Sequence, residues 1–417
     1  MDKFLSAAGF DGPLLECSQF NIPDNGPSPS CAVLLMTNRC NLRCVYCYAN
    51  AGEESKTAEM TWPTAKSVID YVIENAARVS NDGNEDSSDA EPPSITFHGG
   101  GEPTVHWDLM VRCVEYAGER DARTGFSMSS NGVWSSSQRR FICRHFRDVS
   151  LSMDGVPSVQ NVQRPAAGGG ESFTAVMESI REMDAAGVEY GIRMTVMEDS
   201  IALVPEGVQF ICGNTRANTI QIEPTFTDSR GRYADISADF ADAFADRFIE
   251  AWEIGRQAGC QVYYSGARPW VVSPLFCQAP LKAAVATADD RLVACFEVFS
   301  EDSPLAGGFT VGRVNNGVIE YDRQALQAFL DAQQRRRREC EDCFCYWHCC
   351  GDCATRRPGK RSDSEGRCRV TRKITLALLQ NYMADGGGLW QGLPETAYQS
   401  PGCAGVEGVR EVGDAES

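Results

Sequence analysis

Short apolar runs alternate with amphipathic stretches from Cys31 to about Tyr233, and that alternation predicts the architecture. Ala32–Met36, Ser94–His98, Gly125–Ser129, Val149–Met153, Glu189–Val196 and Thr219–Glu223 read as strands bounded by turn residues. After the first, Thr61 can cap a helix that has Pro63 in its first turn and Val68, Ile69, Val72, Ile73 and Ala76 on one face. Each strand but the last is followed by a helical or loop crossover, which predicts a parallel α/β arrangement. Six such units fit a partial (β/α)6 TIM-type barrel. A doubly wound sheet gives similar alternation, and spacing does not choose between them. The distinctive residues follow strand C-terminal ends, where barrels build their active sites.

Beyond the strands, Asp239 to Gly259 reads as one helix with Phe240, Phe244, Phe248 and Trp252 on its core face. From Cys260 the composition shifts toward cysteine and short turns. The chain therefore divides into an N-terminal segment (1–30), a barrel (31–235), a linking helix and strand (236–275), a cysteine-rich C-terminal domain (276–385) and a tail (386–417). The insert from Asn81 to Pro93 holds five acids and no base, and reads as a polar loop.

Composition narrows the function classes. A chain of 417 residues is long enough for two domains. No stretch approaches the ~18 apolar residues of a membrane span, and the first residues lack a signal-peptide core. A cytoplasmic protein is expected. Nineteen cysteines in such a chain point to metal ligation in a reducing compartment. A net charge of −18 argues against nucleic-acid binding.

Cys40, Cys44 and Cys47 form C-x3-C-x2-C directly after the first strand. Three thiolates hold three irons of a [4Fe–4S] cube and leave the fourth iron open to a small molecule. A zinc site would need a fourth Cys or His at matching spacing, and none lies nearby. The spacing, with Tyr46 just before the last cysteine, resembles the signature of radical S-adenosylmethionine (SAM) enzymes. In that family SAM chelates the open iron and is cleaved to a 5′-deoxyadenosyl radical. The resemblance implies that Gly100, Gly101 and Glu102 hold the methionine amine, with Glu102 as its ligand. It places Ser130, Asn131 and Ser152 near the ribose and the methionine carboxylate. Arg164 or Arg193 would supply the cation for that carboxylate, and the sequence does not choose. His98 and His106, flanking the glycines, read as structural.

A second array, Cys277, Cys295, Cys340, Cys343, Cys349, Cys353 and Cys368, resembles the SPASM extension of radical SAM enzymes, which carries two auxiliary [4Fe–4S] clusters. The resemblance assigns Cys277, Cys295 and Cys353 to an inner cluster with one open iron. Cys340, Cys343, Cys349 and Cys368 fall to an outer one. Asp290 stands where the family pattern has glycine. Cys345 and Cys350 are extra residues inside the quartet, and either could also take a ligand role; Cys260, at a helix end, reads as packing, and Cys403 receives no role. The run Arg335–Arg338 reads as a solvated helix end.

The implied function is a radical SAM oxidoreductase that matures a ribosomally made peptide, forming a thioether or carbon–carbon crosslink. A sulfatase-maturating, formylglycine-forming enzyme is the alternative, weakened because Phe296 rather than an acid follows Cys295. A non-catalytic iron–sulfur electron carrier is the alternative of a different class. Expected partners are the peptide substrate, a reducing donor such as flavodoxin or ferredoxin, and a separate leader-recognition protein, since 1–30 is too short for such a domain.

Overall fold

The computed structural model describes residues 22, 26–53, 57–81, 92–230, 232–356 and 365–384. The acidic insert beyond Asn81, the C-terminal tail with Cys403, and most of the N-terminal segment lie outside them.

One sheet of eleven strands runs through the molecule. Its first six strands are β1 (Cys31–Leu35), β2 (Ser94–His98), β3 (Gly125–Ser130), β4 (Asp148–Ser152), β5 (Glu189–Val196) and β6 (Thr219–Pro224). They lie side by side in chain order, every pair parallel. That is the winding of a barrel; a doubly wound sheet would reverse its order at a switch point. The α/β expectation therefore holds, with singly wound order.

The sheet does not stop at either end of this run. β7 (Gln261–Tyr263) adds parallel to β6. β8 (Ala283–Ala286) adds parallel to β1. Then β9 (Arg291–Val293), β10 (Thr310–Asn315) and β11 (Val318–Tyr321) continue antiparallel. Hydrogen bonding thus crosses the division at 275/276, and the cysteine-rich segment is built onto the barrel sheet.

Alternation decides which face meets what. In β5, Tyr190, Ile192, Met194 and Val196 are buried, and the Met194 methyl lies against Gly207 of α6 (Val204–Asn214). Arg193 and Thr195 therefore point to the opposite face. On that face Thr96 Oγ1 of β2 meets Ser127 Oγ of β3 at 2.8 Å. The helix-free face is polar, as a ligand chamber requires.

The long helix α7 (Ala238–Ala258) begins at Ser237, whose hydroxyl accepts from Phe240 N, and ends at Gly259 with φ +73°. Phe240, Phe244, Phe248 and Trp252 are buried, as their spacing predicts. The last helix, α9 (Glu365–Ala384), packs on α7 and carries Cys368. Arg369 Nε donates to Asp242 Oδ1 at 2.6 Å across that contact.

Asp290 occupies the turn between β8 and β9 with φ +64°, backbone space that favours glycine and tolerates aspartate. The departure from glycine is explained by the side chain, which accepts from the Thr64 hydroxyl and ties the turn to α1 (Trp62–Asn81).

Asp148 and Glu189 are direct neighbours at the starts of β4 and β5. Burial, then the Glu189 charge, pushes the Asp148 carboxyl up to about 6. A raised carboxyl pKa means the folded state binds more protons, so stability falls as pH rises from about 4 toward 6. Asp148→Asn should be more stable than the parent at pH 7, and that advantage should shrink to nothing near pH 4. Urea midpoints across that range measure it.

Candidate functional site

The three cysteines after β1 sit in a loop whose backbone is tied down from several sides. Gly101 N donates to Thr37 O at 2.9 Å and Glu102 N to Arg39 O at 2.8 Å, which fastens the loop to the end of β2. A Cβ at position 101 would stand 2.0 Å from Arg39 O, so this approach demands glycine. Val45 N donates to Gln163 O and Arg43 N to Pro165 O, linking the loop to the end of α4 (Pro157–Gln163). Arg230 adds a clamp: it donates to the Cys44 carbonyl, to Ala51 O at 3.0 Å, and to Asn50 Oδ1 at 3.1 Å. Sequence reading missed Arg230, because nothing local connects it to a loop 180 residues away.

Burial, then Glu102, pushes the Cys40 thiol up to about 12. Burial likewise drives Cys44 up to about 11. Held this way Cys40 and Cys44 would need a cation to become thiolates, which iron would supply.

Glu102 is buried and its carboxylate is largely spoken for. Oε1 accepts from Ser130 Oγ and Thr104 Oγ1, both at 2.7 Å, and from Thr104 N at 3.2 Å. Oε2 accepts from Asn131 N at 2.8 Å and has lone-pair capacity for a second donor. Burial raises the carboxyl's pKa, and those four hydrogen bonds pull it back. Asn131 Nδ2 donates to Asn41 Oδ1 at 2.7 Å, placing it on the cysteine loop. Ser130 and Asn131 thus orient Glu102 and the loop.

Tyr46 donates to Asp154 Oδ2 at 2.6 Å. Asp154 also accepts from Arg164 Nε at 2.9 Å, Arg164 Nη2 at 3.1 Å, Gln163 Nε2 at 2.7 Å and Thr195 N at 2.9 Å. Arg164 is therefore a buried ion-pair partner of Asp154, with its guanidinium 5.2 Å from the Tyr46 ring centre. Arg193 stands directly beside Ser152 in the β4–β5 register, and both side chains are on the polar face. Of the two arginines, it is the one not committed to a carboxylate among the described residues.

His98 is buried with Nδ1 accepting from Gly99 N at 2.9 Å, and desolvation pushes it down to about 4. His106 Nε2 lies 2.9 Å from Met60 O. Both are structural.

The second array resolves into two groups. Cys277, Cys295 and Cys353 act on one another electrostatically, beneath the larger effect of burial on Cys277 and Cys295. Cys277 is exposed at the surface. Following Cys295, Phe296 packs on His98 with ring centres 5.6 Å apart, and Phe299 packs on Gly100 and on Tyr48 at 6.5 Å. The segment directly after Cys295 therefore packs on the glycine loop that carries Glu102. Glu297 is ion-paired with Arg356.

Cys340, Cys343, Cys349 and Cys368 line one cavity, together with Cys345. Between the groups runs a buried pair, Arg367 Nε to Asp352 Oδ1 at 2.6 Å. Neither residue was singled out from sequence; their positions beside Cys368 and Cys353 are the signal. No three His, Cys, Asp or Glu among the described residues converge as a single metal ion would require.

Residues 34–201, which contain the three-cysteine loop, match the radical SAM superfamily model. This segment is a radical SAM domain. It is similar to the Fe-coproporphyrin III synthase of Methanosarcina barkeri, 26% identical over 41% of this chain and 38% of that one. Across a longer span the chain is similar to the radical SAM cyclopropyl synthase TigE of Paramaledivibacter caminithermalis, 21% identical over 81% of this chain and 70% of that one. The chain spans 37% to 57% of the length of the other curated relatives it matches. A solved structure of anSMEcpe with bound AdoMet and Cp18Cys peptide superposes with a TM-score of 0.61 at 17% identity, covering 86% of this chain and 99% of that one. The fold shared with that structure therefore extends beyond residues 34–201. No helix among the described residues is long and apolar enough to cross a membrane.

Within the radical SAM domain, Glu102→Gln replaces an acceptor with an amide that cannot accept from Ser130, Thr104 and Asn131 at once. If Glu102 holds the SAM ammonium, as the resemblance implies, a charge-assisted bond worth ~1.5–3 kcal/mol is also lost. SAM affinity should fall on the order of 10- to 100-fold while iron content holds. Equilibrium dialysis of the reconstituted protein with SAM measures the change.

Proposed function

We propose that the chain is a radical SAM maturase that oxidatively modifies a ribosomally made peptide, with a thioether or carbon–carbon crosslink as product. One observation supports the reading: the Phe296–Phe299 segment that follows Cys295 packs on the glycine loop, so an electron acceptor held by Cys295 would stand on the side of the molecule where a substrate radical forms. The donor set suits iron–sulfur clusters, since the thiols gather in groups without focusing on one point, as one thiolate per iron requires.

When bound, the cluster and SAM supply a 5′-deoxyadenosyl radical that removes a hydrogen atom from an unactivated carbon. The chain's own residues do the rest. Cys40, Cys44 and Cys47 hold three irons. Glu102 Oε2 accepts from the amine, and Ser130, Thr104 and Asn131 keep that oxygen aimed. Arg193, with Ser152 beside it, pairs the methionine carboxylate, because Arg164 is engaged by Asp154. Phe296 and Phe299 exclude water from the glycine loop.

The resemblance gives the inner group three cysteines; Cys260 is hydrogen-bonded with Cys212, and Cys350 donates to Ser273 O at 3.0 Å. An iron without a protein thiolate is suited to capture a substrate cysteine. Electrons come from a flavodoxin- or ferredoxin-type donor, and a separate chain presents the leader.

The test is mass spectrometry of a Cys-bearing precursor peptide after anaerobic reaction. The account expects a loss of two hydrogens (~2 Da), absent from a Cys→Ala peptide if the product is a thioether and kept if it is a carbon–carbon crosslink. Acceptance of only a sulfatase sequence, with its Cys or Ser becoming an aldehyde, would overturn crosslinking in favour of formylglycine formation.

A further inference from the structure

The outer cavity is lined by five cysteines, one more than a cube needs: Cys340, Cys343, Cys345, Cys349 and Cys368. The fifth is not a packing residue that merely lies nearby. Cys345 is 1% exposed, and its thiol is within hydrogen-bonding reach of Cys343, one residue away in sequence. Thr375 of α9 lies within reach of the same thiol and stands 3.1 Å from His348 Nε2. Arg372, one turn earlier on α9, reaches Cys343. Both thiols thus face the cavity, Cys345 beside Thr375 and Cys343 beside Arg372 of α9.

Cys350 provides the contrast within the same run. Its φ of +49° belongs to a left-handed stretch shared with Gly351 and Asp352, and its thiol turns to the Ser273 carbonyl, outside the cavity. Spacing alone makes Cys345 and Cys350 equivalent extras; the fold sends only Cys345 to the cavity.

We propose that Cys343 and Cys345 are interchangeable ligands of one iron in the outer cluster, the unligated thiol donating its S–H to the ligated sulfur. This rests on reading the cavity as an outer [4Fe–4S] site. The exchange is balanced: the Cys345 thiol forms an iron–sulfur bond as the Cys343 bond breaks, its proton passes to the departing sulfur, and no electron moves.

The test is iron and acid-labile sulfide per chain after anaerobic reconstitution of the full chain, with EPR of the reduced protein. Cys343→Ala and Cys345→Ala should each keep the parent's iron. The double variant should lose about four irons, matching Cys349→Ala. Loss of four irons in Cys343→Ala alone would overturn the proposal and leave Cys345 a hydrogen-bond donor only. Full iron in Cys349→Ala would instead remove the outer cluster itself, a distinguishable failure. The corresponding serine variants, closer in shape, must give the same order if an alanine variant does not fold.

Discussion

Replacing Cys40, Cys44 and Cys47 together by alanine should reduce 5′-deoxyadenosine formation to background while leaving most bound iron in place. On the proposed reading three cubes would hold about twelve irons per chain, and this variant should retain about eight. The physical basis is separation: the three thiols lie in the loop after β1, whereas the other seven assigned thiols lie in the segments around β8 to α9. The loop's fastening does not depend on its sulfurs. Gly101 N, Glu102 N, Arg43 and Arg230 hold its backbone through carbonyls. The fold should therefore survive, and iron analysis beside product chromatography separates loss of one cluster from collapse. Parent-rate deoxyadenosine from the variant would show that the radical site lies elsewhere.

The second large effect is on stability. Asp154 has a fully buried side chain and accepts four side-chain hydrogen bonds, two of them from a buried arginine. Asp154→Ala leaves the Arg164 charge without its partner in low dielectric, which should cost ~3–5 kcal/mol. It also frees the Tyr46 hydroxyl and loosens the end of α4, where Gln163 O and Pro165 O hold the cysteine loop. Reconstituted iron at the radical site should fall along with the urea midpoint. Asp154→Ala with Arg164→Met removes both charges, and most of the lost stability should return. Additive losses in the double variant would contradict a buried ion pair as the main cause.

The sequence made the β1–β6 sheet legible because each strand is five to eight residues long and stands before a recognisable helix or turn. β7 to β9 carry three or four residues each, too few for a period to register, and so the continuation of the sheet past 275 was invisible. The cysteine loop and Glu102 were legible because their spacing is local. Asp154 carried no local signal, since its partners Tyr46, Arg164 and Thr195 come from three separate segments. The choice between Arg164 and Arg193 depends on which one a neighbouring carboxylate already holds, and periodicity carries no such information. Cys345 and Cys350 differ through three consecutive left-handed residues at positions 350–352. Backbone conformation, rather than spacing, sets that difference.

The central claim is that the loop of Cys40, Cys44 and Cys47 generates a 5′-deoxyadenosyl radical. The direct measurement is anaerobic incubation of the reconstituted protein with dithionite and SAM, followed by chromatography for 5′-deoxyadenosine. The account predicts release of 5′-deoxyadenosine and methionine. Unchanged SAM with all clusters assembled would contradict it and identify the chain as an electron carrier.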